Sequence, residues 1–270
     1  MTKEILNMEE AADLFGVSVK TFIKLLKEEK VPARKIGREW RFSRKALIEW
    51  LSSGDSQAYS ASEGEAREFF NNIAPEWDEI RKNYYDESIK NKLINMDILD
   101  KGMTVMDLGA GSGYISRAVA KLVKKVVAVD MSEEMLKELK KKSNEEGLRN
   151  IKTVESDAVD IPVDSSSIDV ICASMFLHHM EEPVKAIREM KRIVKPGGMV
   201  FLADFYSHTN MEFKERMYDV WPGFEEDKVK EWFEDTGFKN VTVEMLAGKN
   251  RKPDFGGKTG LDIFVLTAVR

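Results

Sequence analysis

The chain has 270 residues, 43% apolar and 33% charged, with a formal net charge of −5; this is the composition of an ordinary soluble protein, with length for one large domain or two unequal ones. It holds no apolar run of about twenty residues, and its first residues, MTKEILNMEE, lack the apolar centre of a secretion signal, so a cytoplasmic protein is expected. The single cysteine, Cys172, excludes an internal disulfide and a cysteine-based metal site.

Charge is unevenly distributed along the chain. Residues 1–54 hold eleven Lys and Arg against eight Asp and Glu, a net of +3, which leaves −8 for the rest. A basic region on an acidic protein points to a polyanion partner for that region alone, with a solvated helix face as the plain alternative. The pattern around the charges is more specific. Met8–Phe15 reads as a short helix, Gly16-Val17 as a turn, and Ser18 as the cap of a second helix, Val19–Lys30, with Phe22, Ile23, Leu25 and Leu26 inward. A hairpin follows around Gly37-Arg38, from Ala33–Ile36 to Trp40–Ser43, and then a helix over Arg44–Leu51. Two short helices joined by a glycine turn form a helix-turn-helix, whose second helix enters the major groove. With its basic hairpin and a last helix ending in Glu-Trp-Leu, the stretch resembles the winged helix-turn-helix domains of the excisionase and MerR type. That resemblance implies binding of double-stranded DNA, with Lys20, Thr21 and Lys24 facing the groove and Arg34, Lys35, Arg38 and Arg41 near the phosphates or minor groove. Such proteins commonly bind paired half-sites as dimers, so a homodimer is compatible with the sequence, although no stretch reads as a dedicated dimerisation helix.

Residues 55–64, small and polar, are expected to be a flexible linker between this domain and a second one over 65–270. The second begins with a helical lead, Glu65–Asn95, rich in aromatic residues, including Phe69, Phe70, Trp77, Tyr84 and Tyr85. A strand, Thr104–Met106, then runs into Asp107-Leu108-Gly109-Ala110-Gly111-Ser112-Gly113, and an apolar helical pattern (Ile115, Ala118, Val119, Leu122) follows at once. Glycines there let the backbone approach a ligand, and the helix start offers unpaired N–H groups. A dinucleotide fingerprint needs its third glycine at the sixth position, which Tyr114 occupies. The carboxylate ahead of the glycines suits a ligand bearing a cation. Further strands fall where a doubly wound sheet needs them: Lys125–Val129 ending in Asp130, Ile151–Val154 leading to Asp157-Ala158, Ile168–Ser174, and Met199–Ala203 after Lys195-Pro196-Gly197-Gly198. Asp130 or Ser132 could also cap the helix that starts at Glu133.

In these residues the chain resembles the class I S-adenosylmethionine-dependent methyltransferases. The resemblance implies a Rossmann-like doubly wound α/β sheet and S-adenosylmethionine as cofactor. It places Asp107, Gly109, Gly111, Gly113, Asp130, Met131, Asp157, Ala158 and Ser174 around the cofactor, with Tyr85 or Tyr84 covering its methionine end. From Ala203-Asp204-Phe205 through His208, Trp221-Pro222-Gly223-Phe224 and Trp232–Phe238, the chain is similar to the methyltransferase half of regulators that fuse an ArsR-type DNA-binding domain to a methyltransferase.

The three histidines, His178, His179 and His208, all follow the fourth and fifth strands, where ligands of open α/β sheets sit. His178 and His179 are the candidate catalytic residues; a base, a metal pair with Asp204 and hydrogen-bonded structure are each compatible with the pattern. Methyl transfer itself requires no metal, and none is expected. The fourth strand lacks the Asn/Asp-Pro-Pro-Tyr/Phe run and the Pro-Cys pair of nucleic-acid base methyltransferases, so the expected acceptor is a small molecule. The alternative is a transcriptional regulator whose second domain senses S-adenosylmethionine or a metabolite. Beyond the sheet core, helices are expected over Met211–Phe224 and Asp227–Thr236, with closing strands at Asn240–Met245 and Ile263–Val269.

Overall fold

The structure, a computed structural model, describes residues 3–28, 31–37, 39–53, 56–246 and 261–270. It divides into two compact units, Met1–Gly64 and Glu65–Arg270.

In the first unit, β1 (Ile5–Leu6) leads into α1 (Met8–Leu14), and α2 (Val19–Glu28), β2 (Arg34–Ile36), β3 (Glu39–Ser43) and α3 (Arg44–Ser53) follow. Asn7 and Glu10 form a reciprocal capping box at the start of α1. The Ser18 hydroxyl accepts from the Thr21 amide at 3.1 Å, as the cap expected of it. Leu6, Ala11, Ala12, Phe22, Phe42 and Leu47 make the core. Ile23, expected inward, is exposed, because the buried stripe of α2 runs through Phe22 with Leu25 and Leu26 at its margin. The hairpin is extended by β1, whose Ile5 and Leu6 pair with Ser43 and Phe42.

The segment read as a flexible linker is helical from Ser56, where α4 (Ser56–Ile73) begins. Glutamine, alanine and glutamate favour a helix there and no proline interrupts it. The lead is broken: a 3₁₀ turn at Ala74–Glu76, carrying Pro75, separates α4 from α5 (Trp77–Arg81), and α6 (Ser88–Asn95) comes next.

The remaining elements are β4 (Thr104–Leu108), α7 (Tyr114–Ala120), β5 (Lys125–Asp130), α8 (Glu133–Glu145), β6 (Ile151–Glu155), β7 (Ile168–Ser174), α9 (Pro183–Ile193), β8 (Val194–Phe205), α10 (Met211–Arg216), α11 (Glu226–Asp235), β9 (Lys239–Met245) and β10 (Ile263–Val269). The seven strands lie in the order β6-β5-β4-β7-β8-β10-β9. Pairing is parallel from β6 through β8, and β10 runs antiparallel to both neighbours. This is the Rossmann-like, mostly parallel sheet, buried on both faces by two apolar clusters, one around Ile171, Leu202 and Phe233 and one around Val105, Cys172 and Phe201. Order reverses between β4 and β7, and the carboxyl ends of those strands open onto the crevice where such sheets bind ligands.

The helix expected over Met211–Phe224 ends at Arg216. Beyond it Tyr218 takes φ +57°, and the amides of Val220 and Trp221 donate to the His178 carbonyl at 3.0 and 2.9 Å instead of continuing the helix. Among the described residues, no helix is long and apolar enough to cross a membrane.

Candidate active site

Asp107 lies in β4 opposite Ala128 of β5 and Cys172 of β7 and is buried. Its Oδ2 accepts from the Ser116 amide at 2.8 Å and hydroxyl at 2.6 Å, fastening the strand to the first turn of α7. Burial outweighs these hydrogen bonds and pushes its carboxyl up to about 6. Gly109 takes φ +71°, and a Cβ there would stand 2.6 Å from the Phe176 ring, just beyond β7. Gly113, at φ +90°, leaves no room for a Cβ beside Leu139. The glycines therefore let the turn lie against both the chain after β7 and α8.

Asp130 ends β5. Its Oδ2 accepts from the Gly111 amide at 2.8 Å and its Oδ1 from the Ser132 amide at 2.9 Å, while the Ser132 hydroxyl caps α8 through the Met135 amide at 3.1 Å. The capping and bracing roles thus fall to different residues. The Met131 amide also reaches this carboxylate, and three amides on two oxygens leave acceptor capacity for a hydroxyl. Met131 is half-buried next to it. Asp157 is exposed, its Oδ1 accepting from the Val159 and Asp160 amides at 3.0 and 3.1 Å, and Ala158 is buried behind it. Ser174, at the end of β7, has a buried hydroxyl without a hydrogen-bond partner among the described residues.

The lead segment reaches the same turn through residues that carried no motif. A Cβ at Gly111 would touch the Trp77 indole at 3.4 Å. Asp78 accepts from the Ser112 hydroxyl at 2.5 Å, from Arg117 at 2.8 Å and from Lys142 at 3.0 Å, and the Ser132 hydroxyl donates to Asn71 at 2.6 Å. Tyr85 is buried edge-on to Tyr114, over whose ring the Arg81 guanidinium stacks at 3.9 Å. Arg81 is 5% exposed, and its Nε and Nη1 have no hydrogen-bond partner among the described residues. Tyr84 packs instead on Phe213.

The histidines gather beyond β7 and β8. His178 Nδ1 lies 2.6 Å from Asp204 Oδ1, and the Asp204 carboxylate also accepts from the amides of Leu177, His178 and Phe205. Burial pulls the His178 imidazole down, but the Asp204 and Asp219 carboxylates outweigh it and raise it above its ordinary value. Burial, joined by the His178 charge, holds His179 well below its ordinary value, so its ring is neutral at pH 7. His208 is lowered by burial and by His178, and its Nδ1 accepts from the Asn210 amide at 3.3 Å. Asp204, for which a metal pair with the histidines is one of three alternatives in the sequence, is occupied by His178 and by backbone amides. The carboxylate beside both rings is Asp219, which lies 3.5 Å from each and escaped sequence reasoning because it sits about forty residues away in a stretch that reads as helix. Phe70 bridges the two regions, 5.2 Å from the His179 ring and 5.5 Å from Trp77.

Residues 106–202 match the family described as Methyltransferase domain, and residues 5–55 match the family described as Helix-turn-helix domain. The demethylmenaquinone methyltransferase of Staphylococcus aureus is 27% identical over 223 residues, covering 70% of this chain and 90% of that protein. A SAM-dependent methyltransferase from Aquifex aeolicus is similar in structure, with a TM-score of 0.54 and 25% identity over 70% of this chain and 92% of its own. So is the Haemonchus contortus phosphoethanolamine N-methyltransferase 2 in complex with phosphomonomethylethanolamine and S-adenosylhomocysteine, at TM-score 0.55 and 18% identity, over 66% of this chain and 51% of its own.

The chain carries a methyltransferase domain. It is an S-adenosylmethionine-dependent methyltransferase joined to a helix-turn-helix domain. The residues at the crevice fit the cofactor's chemistry. Asp107 is a buried carboxylate whose charge a nearby cation would relieve, Asp130 retains acceptor positions, and Ser174 carries an unmatched hydroxyl.

In the helix-turn-helix domain of this methyltransferase, Lys20, Thr21 and Lys24 lie along the exposed side of α2, with the Thr21 hydroxyl 2.8 Å from that of Ser18. Arg34 and Lys35 are exposed on β2. Arg41 is paired with Glu39 and donates to the Trp40 carbonyl at 3.0 Å. Arg38 lies outside the described residues.

Proposed function

We propose that the chain transfers the methyl group of S-adenosylmethionine to a small-molecule acceptor, and that its first domain binds double-stranded DNA. The observation that carries the enzymatic half is the convergence, at the carboxyl ends of β4, β5, β7 and β8, of the carboxylate-braced glycine turn with the buried histidine cluster. S-adenosylmethionine supplies a methyl carbon already activated by a positive sulfur, which leaves the protein to align and desolvate the reactants. Asp130 holds the ribose hydroxyls in this reading, and Ala158 and Asp157 flank the adenine. The Asp107 carboxylate balances the charge at the amino-acid end, and the buried Arg81 guanidinium, adjoining through Asp78 and Tyr114, offers its open N–H groups to the carboxylate there. Ser174 and Met131 complete the lining, and Tyr85 backs the helix start from behind Tyr114. His178 and His179 serve the acceptor side.

The small-molecule acceptor is favoured by the segment after β7, Met175-Phe176-Leu177-His178-His179, which has neither the Asn/Asp-Pro-Pro-Tyr/Phe run nor the Pro-Cys pair of nucleic-acid base methyltransferases. Demethylmenaquinone, for which the S. aureus relative is named, is also a small molecule. The exposed basic side chains of α2 and β2 support DNA binding, and paired half-sites would require a homodimer. The order of domains is that of the ArsR-type fusions, with a different DNA-binding type in front.

The test is incubation of the purified chain with methyl-labelled cofactor and fractionated cell extract. Label is expected in the low-molecular-weight fraction with no DNA added. Label found only in nucleic acid or protein would overturn the acceptor assignment.

A further inference from the structure

His178, His179 and Asp219 form a group whose polar atoms lack the partners that burial demands. Asp219 is 5% exposed, and neither carboxylate oxygen has a hydrogen bond among the described residues. The Nδ1 of His179 is likewise buried without a partner. His178 is 3% exposed, and with its Nδ1 directed to Asp204 its Nε2 faces Asp219 Oδ1, 3.5 Å away. The same oxygen lies 3.5 Å from His179 Nδ1. These separations exceed hydrogen-bond length, so the buried atoms surround a shared space without bonding to one another, and a cation entering it would take the place of the His178 Nε2 proton.

We propose that His178 Nε2, His179 Nδ1 and Asp219 bind a divalent first-row transition-metal ion of the zinc type. One ligand atom from each of the three residues lies within 4.8 Å of the others. Two ligands bound at roughly 2.0–2.1 Å to a tetrahedral ion stand about 3.3 Å apart, so the 3.5 Å separations close on an ion with little movement. Two imidazoles and one carboxylate are a donor set for zinc, cobalt, nickel or iron rather than for magnesium or calcium, and three protein ligands leave a position open. The Asp204 carboxylate behind His178 Nδ1 is the outer partner that orients a ligating imidazole. The site is also built by the backbone. The Asp219 amide donates to the Lys214 carbonyl at 2.9 Å, and the next two amides are held by the His178 carbonyl, so the turn carrying the carboxylate is fastened to the residue carrying the first imidazole.

The experiment reads the metal alone, without cofactor or acceptor, so its outcome is independent of whether the acceptor is correctly assigned. The full chain, stripped with a chelator, is titrated with Co2+ in metal-free buffer. One equivalent is expected to bind and to give visible d–d absorption of four- or five-coordinate cobalt, which Zn2+ then displaces. X-ray absorption of the zinc-loaded chain should show two imidazoles in the coordination shell. Asp219→Asn, which keeps the shape and removes the buried charge, and His179→Gln should each weaken binding at least tenfold, and Asp204→Asn about 10–100-fold. Absence of stoichiometric binding by the unaltered chain, a zinc shell without imidazole, or folded Asp219→Asn and His179→Gln variants that bind as the unaltered chain does would each overturn the site.

Discussion

The Nδ1 of His178 and the Oδ1 of Asp204 stand 2.6 Å apart in the interior, at 3% and 0% side-chain exposure, joining the chain after β7 to the end of β8. Asp204 also receives amides from both segments, so it is at once a backbone clamp and the counter-charge of an imidazole. Asp204→Ala strips all of these partners and is expected to cost about 3–5 kcal/mol, read as a lowered urea midpoint. Because the folded His178 is raised, the stability from its charged form is fully present below the unfolded value and is lost as pH rises through the folded one. The gap between the unaltered chain and Asp204→Asn should therefore be wider at pH 6 than at pH 9; an equal gap would show that His178 is not charged in the fold.

Asp107 follows the opposite rule to an ordinary carboxylate. Raised to about 6, it contributes stability that is full below its ordinary value of 3.8 and is lost as pH rises through 6. At about 1.4 kcal/mol per unit, the loss reaches about 3 kcal/mol by pH 8. Asp107→Asn should flatten that part of the pH–stability curve. Asp219, also pushed up to about 6 by burial, contributes in the same window, so Asp219→Asn should remove a separate share. Chemical denaturation between pH 4 and 8 measures both.

Asp130→Ala releases the Gly111 and Ser132 amides and removes the acceptor at the end of β5. Two charge-assisted hydrogen bonds of about 1.5–3 kcal/mol each are at stake in positioning the turn. Calorimetric affinity for S-adenosylhomocysteine is expected to fall by ten- to a hundredfold, and unchanged affinity would remove Asp130 from the cofactor site.

Gly109→Ala places a methyl group 2.6 Å from Phe176 at φ +71°, two penalties at once. A loss of about 1–3 kcal/mol in stability is expected, accompanied by weaker cofactor binding. Adding Phe176→Ala should recover part of the binding by relieving the contact while leaving the backbone strain.

Salt dependence separates the cations of the first domain. Lys20→Ala and Lys35→Ala, at exposed positions, should each lower the slope of log affinity for duplex DNA against log salt by about one unit. Arg41→Ala should lower it by less, since Glu39 already pairs with that guanidinium. Fluorescence anisotropy across a salt series distinguishes these outcomes, and slopes unaltered in all three variants would leave the domain without a phosphate-binding role.

Local spacing made much of this molecule legible. Glycines at 109, 111 and 113 after an apolar strand and Asp130 about twenty residues on announce successive units of a doubly wound sheet, because each strand–turn–helix step is written within about thirty residues. Lys-Pro-Gly-Gly, expected as a turn before the strand at Met199, lies instead within β8, where its pairing with β7 shifts register. Ser18 and Ser132 announced their helix starts for the same reason: a cap bonds only two or three residues ahead. Tertiary structure decided what depends on distant partners. The helix predicted over Met211–Phe224 stops because its amides are taken by a carbonyl at position 178, and Asp219 thereby arrives beside two histidines. Trp77, Asp78 and Arg81 fall within the stretch expected only as a helical lead, and the closed fold alone sets them against the glycine turn and the helix start after it. Periodicity records which way a side chain faces, but the group it meets across the core is fixed by long-range packing.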